Sequence, residues 1–160
     1  MPTTIRKGER IGREGRIRAG CSATIFDNRR EKVLLTRRTD NGLWCLPGGG
    51  LDPGESAAEC CEREVFEETG LRGRVTRLIG VYSSPDWLVE YQDGNRAQIV
   101  ALNFEVALDP ESADGALEVN SEVSQFGYFR LEEIQGLELM INHRQRIIDA
   151  FANQAEAFIR

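Results

Sequence analysis

The chain has 160 residues, 41% of them hydrophobic and 29% charged, with a net charge of −6. That is enough for one domain with a sizeable core, and the acidic balance argues against a broad basic face for a nucleic-acid polymer. No apolar run approaches the ~20 residues that span a bilayer, and the N-terminal "MPTTIRKGERIGREGR" lacks the apolar core of a secretory signal, so the expectation is a cytoplasmic protein with no membrane partner.

Residues 16–26 alternate loosely and read as a strand, "DNRREK" as a turn and 33–38 as a second strand, together a hairpin. "LWCLPGGG" is a short strand entering a glycine-rich loop. The best-defined helix runs from about 57 to 69, with Ser56 and Glu59 spaced as a capping box and Gly70 placed to stop it. Strands follow at 74–83, 87–91 and 96–108, with a turn at Asp93-Gly94. Residues 109–122 are polar and read as flexible, "QFGYFRL" as a short strand and "LEEI" as a helical turn. The last helix spans 142–159, with Ile147, Ile148, Phe151, Ala155 and Phe158 on one apolar face. This order implies a single α+β or α/β/α domain over residues 1–160, a mixed sheet between helices. Cys21, Cys45, Cys60 and Cys61 form no C-x-x-C pair and read as free thiols; His143, the single histidine, reads as a cap or surface residue.

Residues 59–68 hold five glutamates, although like charges three or four apart cost a helix about 0.2–0.5 kcal/mol per pair. Glu64, Glu67 and Glu68 stand within about a 100° arc of the helix, beside a core-facing stripe of Ala58, Cys61 and Val65. Ala57 and Cys60, both small, leave room for an approach to the carboxylates, while Glu59 and Glu62 point away towards water. A solvated acidic face explains Glu59 and Glu62 but leaves the repulsion within the trio unrelieved. A hard divalent cation relieves it, and the preceding glycines let backbone carbonyls approach such an ion.

Gly49, Glu55 and the run Arg63-Glu64-Val65-Phe66-Glu67-Glu68-Thr69-Gly70-Leu71 match the pattern G-x5-E-x7-R-E-U-x-E-E-x-G-U, U being a bulky aliphatic residue. In this the chain resembles the Nudix hydrolases of MutT type. The resemblance implies a Nudix-type α/β/α sandwich and Mg²⁺- or Mn²⁺-dependent attack of water on the diphosphate of a nucleoside diphosphate derivative. It implies Gly48 (by its carbonyl), Glu64, Glu67 and Glu68 as metal ligands. Glu64, Glu67 and Glu122 are its catalytic candidates, Glu64 or Glu122 being open as general base and Glu118 standing behind Glu122. Gly49, Glu55 and Arg63 take structural roles, with Arg63 pairing Glu55. At most one of Arg37 and Arg38 should reach phosphate, since strand neighbours alternate, and either reads otherwise as a surface cation. Tyr91 and Gln98 are further substrate-binding candidates, and Trp44 reads as core or as a stacking platform. ADP-ribose, nucleotide sugars and (deoxy)nucleoside triphosphates stay open as substrates, and a homodimer is an assembly open to such a chain. The alternative functional class is a catalytically inactive nucleotide-binding module of the same fold. An acidic calcium protein is disfavoured because no D-x-[DN]-x-[DN]-G loop occurs.

Overall fold

A computed structural model of the chain describes residues 2–113, 115 and 117–160. The chain begins with β1 (Thr4–Lys7), a 3-10 turn (Ile11–Glu14), β2 (Arg16–Thr24), β3 (Val33–Arg38) and β4 (Trp44–Cys45). Helix α1 (Ala57–Thr69) is followed by β5 (Gly73–Tyr82), β6 (Trp87–Glu90), β7 (Arg96–Leu108) and the short α2 (Pro110–Ala113). Strand β8 (Val123–Phe129), α3 (Leu131–Ile134), α4 (Ile141–Ala152) and β9 (Phe158–Ile159) complete the order.

Two sheets result. One holds β1, β6, β7, β5 and β9 in that order, with β2 also paired to β7; the other is β4-β3-β8. The first is mixed: β2 runs parallel to β7 from Arg16↔Ala97 to Thr24↔Glu105, while β5 and β6 are antiparallel to β7. The expected hairpin over 16–38 survives only at its tip. Asp27 accepts from the Glu31 and Lys32 amides, and Phe26 bridges Val33, after which the strands part into different sheets. The cause lies in β3. Leu34 packs into one core and its neighbours Val33 and Leu35 into the other, as side chains that alternate between faces must. Both faces of "VLL" are therefore buried, which suits a strand between two cores rather than the free arm of a hairpin.

Helix α1 covers one core, packing on β2, β5 and β7 through Cys60, Cys61 and Val65. Ser56 Oγ accepts from the Glu59 amide, the Glu59 carboxylate accepts from the Ser56 amide, and Gly70 takes the left-handed conformation that ends the helix. Helices α3 and α4 close the second core through Ile134 and Ile147. There the expected helix 142–159 is too long. Asn153 turns left-handed (φ 52°), its side chain accepts from Arg30, and the chain swings back to lay β9 parallel to β5. Ala155 and Phe158 consequently leave the helical face, and Ile148 is exposed. The four cysteines are free and buried. Among the described residues no helix is long and apolar enough to cross a membrane.

Candidate active site

Two segments meet at the site: the Gly48–Gly50 loop and the C-terminal half of α1. Pro47 and Gly49 each accept a β2 amide through their carbonyls, from Ala23 and Cys21 respectively. The intervening Gly48 turns the other way and donates its N–H to Glu68 Oε2 at 3.0 Å. Its carbonyl has no N–H partner among the described residues. A Cβ on Gly48 would stand 2.7 Å from Ser22 Cα, and one on Gly49 would collide with the Glu64 carboxylate. Glycine is required at Gly48, where the clash is with the β2 backbone, whereas a methyl at Gly49 would push the Glu64 carboxylate aside.

The carboxylates differ in how their charge is met. Arg63 donates to both oxygens of Glu55 (3.0 and 2.8 Å), to Glu64 Oε1 (3.0 Å), to Glu67 Oε2 (3.1 Å) and to the Gly50 carbonyl (3.1 Å). This corrects one step of the sequence argument, since part of the acidic repulsion is relieved by an arginine inside the cluster. Glu55 is held down at about 2 by that guanidinium first and the Asp52 amide second. Glu67 is largely exposed at the rim. The Glu64 side chain is 14% exposed, and burial raises its pKa against the pull of Arg63.

Glu68 has no such relief. It is 7% exposed, and among the described residues its carboxylate accepts a hydrogen bond only from Gly48. Burial, helped by the charges of Glu64 and Glu122, lifts its pKa from the ordinary 4.5 to about 8. The helix supplies no reason for the charge either: α1 has no basic residue in its last turn, where the helix dipole disfavours anions. Glu122 reaches the cluster because Asn120 anchors its loop. Asn120 Nδ2 donates to the Glu67 and Glu68 carbonyls at the end of α1, and its Oδ1 accepts from the Glu122 and Val123 amides. Glu118 is exposed, its amide near the Thr69 carbonyl at 3.5 Å.

As the side chains stand, no three His, Cys, Asp or Glu residues among those described are gathered at metal-ligating distance. The donors nevertheless suit a hard cation. Among the described residues they comprise a buried carboxylate in no ion pair, a second carboxylate beneath Gly49 that shares an arginine, an unpartnered Gly48 carbonyl and the Glu122 carboxylate, whose charge acts on both.

A cavity of about 210 Å³ opens beside this cluster, lined by Gly48–Gly50, Arg18, Arg38, Tyr91, Ile99, Met140 and Arg146 among others. Arg38 lines it, with a two-point pair to Asp40. Arg37 turns away to the Gly42 carbonyl and Gln125. Tyr91 lines it with the Arg18 guanidinium 5.1 Å from its ring centre. Gln98 does not. Ile99 and Ala101 are the β7 side chains in the cavity, so Gln98 lies on the opposite face and donates to the Ser83 carbonyl at 3.3 Å. Trp44 packs edge-on to Phe129 in the core. Glu59 closes the expected cap and stays exposed, whereas Glu62 departs from expectation and accepts the Val75 amide at 2.9 Å.

Asn120 and Arg146 belong to the site's surroundings and went unnoticed in the sequence, and His143, read there as a cap or surface residue, is instead buried with its Nδ1 accepting the Leu46 amide. An asparagine two residues before a candidate catalytic glutamate is a usable signal. The burial of His143 and Arg146 has none, because their positions fit a solvated helix face equally well.

The loop, the acidic helix and the adjoining cleft define a Nudix-type hydrolase site. Residues 16–151 match the NUDIX domain family model, and the chain belongs to the Nudix superfamily of hydrolases acting on phosphorus-containing acid anhydrides. It is similar to a putative 8-oxo-dGTP diphosphatase of Bacillus subtilis, at 34% identity over 82% of this chain and 78% of that one. It is also similar to an ADP-ribose pyrophosphatase of Methanocaldococcus jannaschii, at 32% identity over 74% of this chain and 64% of that one. In three dimensions it resembles an ADP-ribose pyrophosphatase of Streptococcus suis, with a TM-score of 0.68 at 22% identity over 89% of this chain and 97% of that one; this likeness shows the fold.

Proposed function

We propose that the chain is a Mg²⁺- or Mn²⁺-dependent pyrophosphohydrolase that cleaves the diphosphate linkage of a nucleoside diphosphate derivative. The observation that carries this reading is Glu68, a carboxylate buried under a glycine loop that forms no ion pair among the described residues. Glu64, Glu68 and the Gly48 carbonyl would hold the ion, with Glu67 at the rim. When bound, such an ion neutralises diphosphate charge and acidifies coordinated water.

The chain's own residues do the rest. Glu122, held near Glu64 and Glu68 by Asn120, accepts the proton of the attacking water. Arg38 lines the cleft and steadies the diphosphate, while its pair with Asp40 fixes the direction of the fork. Tyr91 offers a flat face to the nucleoside. Arg63 braces loop against helix through Glu55 and does not touch substrate. The relatives named for 8-oxo-dGTP and for ADP-ribose support this class, to which ADP-ribose, nucleotide sugars and (deoxy)nucleoside triphosphates all belong.

The test is a panel of those three substrate types with and without Mg²⁺, products being resolved by chromatography. Release of a nucleoside monophosphate only with metal is expected. Tight nucleotide binding without turnover of any substrate would instead establish the inactive binding module.

A further inference from the structure

The head of the cleft carries a cluster that hydrolysis at the diphosphate leaves unused. Arg146, in the middle of α4, is only 5% exposed and lines the cavity. Its Nη1 meets Ser22 Oγ at 3.4 Å, its Nε has no partner, and no carboxylate pairs with it among the described residues. Asp149, three residues on, is occupied by Tyr82, Gln145 and Arg160. Burial lowers the Arg146 pKa only to about 10, so the guanidinium is still charged at neutral pH.

His143, one turn earlier and 9% exposed, lines the same wall. Its Nδ1 accepts the Leu46 amide at 3.1 Å, which leaves the proton of the neutral ring on Nε2. That nitrogen lies 3.5 Å from Arg146 Nη1. Two N–H donors thus face each other with no acceptor between them. A buried cation without a counterion is costly, and an apolar replacement of similar volume is commonly neutral or stabilising. The Tyr82 ring, 5.6 Å from the guanidinium carbon, is a weak substitute for a counterion and leaves the two facing donors unmet. An oxygen anion placed between the two donors meets both.

We propose that Arg146 and His143 form an oxyanion-accepting subsite that receives an anionic oxygen group of the substrate other than the reacting diphosphate. The inference rests on reading the cleft as the site of a diphosphate substrate. The group is a further phosphate or a carboxylate on the portion of the substrate beyond the scissile linkage. Val89, Ile99 and Met140 on the same walls offer such a group no hydrogen bonds. Its charge is met by Arg146. Asn142, also on this wall and with an unpartnered Oδ1, can present its NH2 after a half-turn of the amide.

The test is thermal unfolding of the full chain in EDTA. Inorganic phosphate and glucuronate are titrated separately against chloride at equal ionic strength. One or both anions should raise the wild-type Tm beyond chloride, and whichever does so identifies the phosphate or the carboxylate source. Arg146→Met should keep or raise the unliganded Tm and require about ten- to a hundredfold more anion for half the effect, the worth of a hydrogen bond to a charged group. Arg146→Gln, polar but uncharged, should show the same weakening if the methionine variant does not fold. No rise beyond chloride, or a rise that survives in the variants, overturns the proposal. Glu68→Gln should lose turnover and keep the anion effect. A negative substrate panel with an intact, Arg146-dependent effect would refute the hydrolase reading and leave the subsite standing.

Discussion

Glu68 is the residue at which burial and charge conflict most. Its raised pKa makes a definite statement about stability. The folded chain without metal binds a proton at Glu68 between pH 4.5 and about 8 that the unfolded chain releases, so folding stability falls as pH rises through that window and is highest below it. Urea unfolding in EDTA should show this fall, Glu68→Gln should flatten it, and Mg²⁺ should add more stability at the upper end of the window than at the lower. Under the hydrolytic reading, Glu68→Gln should also lower kcat by about 10³-fold or more, the scale expected when charge stabilisation at the reacting centre is lost; a steady-state assay checks it. Gly49→Ala should act on the same chemistry from above. Its methyl group would collide with the Glu64 carboxylate, so kcat should drop with little change in stability, separable by assay and melt.

At the scale of elements, the site depends on a loop anchored by one side chain. Asn120 joins the β8 approach to the end of α1 through four hydrogen bonds. Asn120→Ala should release Glu122 and lower kcat about tenfold or more, as loss of a positioned general base costs, while α1 itself melts unchanged. Normal turnover would remove Glu122 from the mechanism. The same scale shows what was legible in sequence. Helix α1 could be read because its signals are local: a capping box, a terminal glycine and an apolar stripe all agree. The partner of β2 could not, because pairing with β7 is decided some eighty residues away by which faces must be buried. Gln98 failed on parity, one position from Ile99 in the cavity. Helix α4 was drawn too long because apolar spacing continued past Asn153, where a left-handed turn is a tertiary as well as a local choice. The arginine within the acidic cluster was visible as a partner of Glu55, but its reach to Glu64 and Glu67 needed the loop in place.

Across the whole molecule, two cores share β3, and the glycine loop that meets the acidic helix lines the same cleft as the first half of α4. The last residues lock this arrangement. Arg160 makes two hydrogen bonds to the buried Asp149, which also accepts from Tyr82 in β5. Arg160→Ala should destabilise the chain, because the buried Asp149 carboxylate loses its cation and keeps only Tyr82 and Gln145, read as a lower urea midpoint. The account as a whole depends on a divalent ion entering the gap that Arg63 leaves unfilled. The most direct measurement is anomalous scattering from crystals soaked in Mn²⁺. The expected result is a peak beside Glu68, Glu64 and the Gly48 carbonyl, with Glu64 drawn off Arg63. A featureless map, with Glu64 still on Arg63 and Glu68 still bound only to the Gly48 amide, would contradict it.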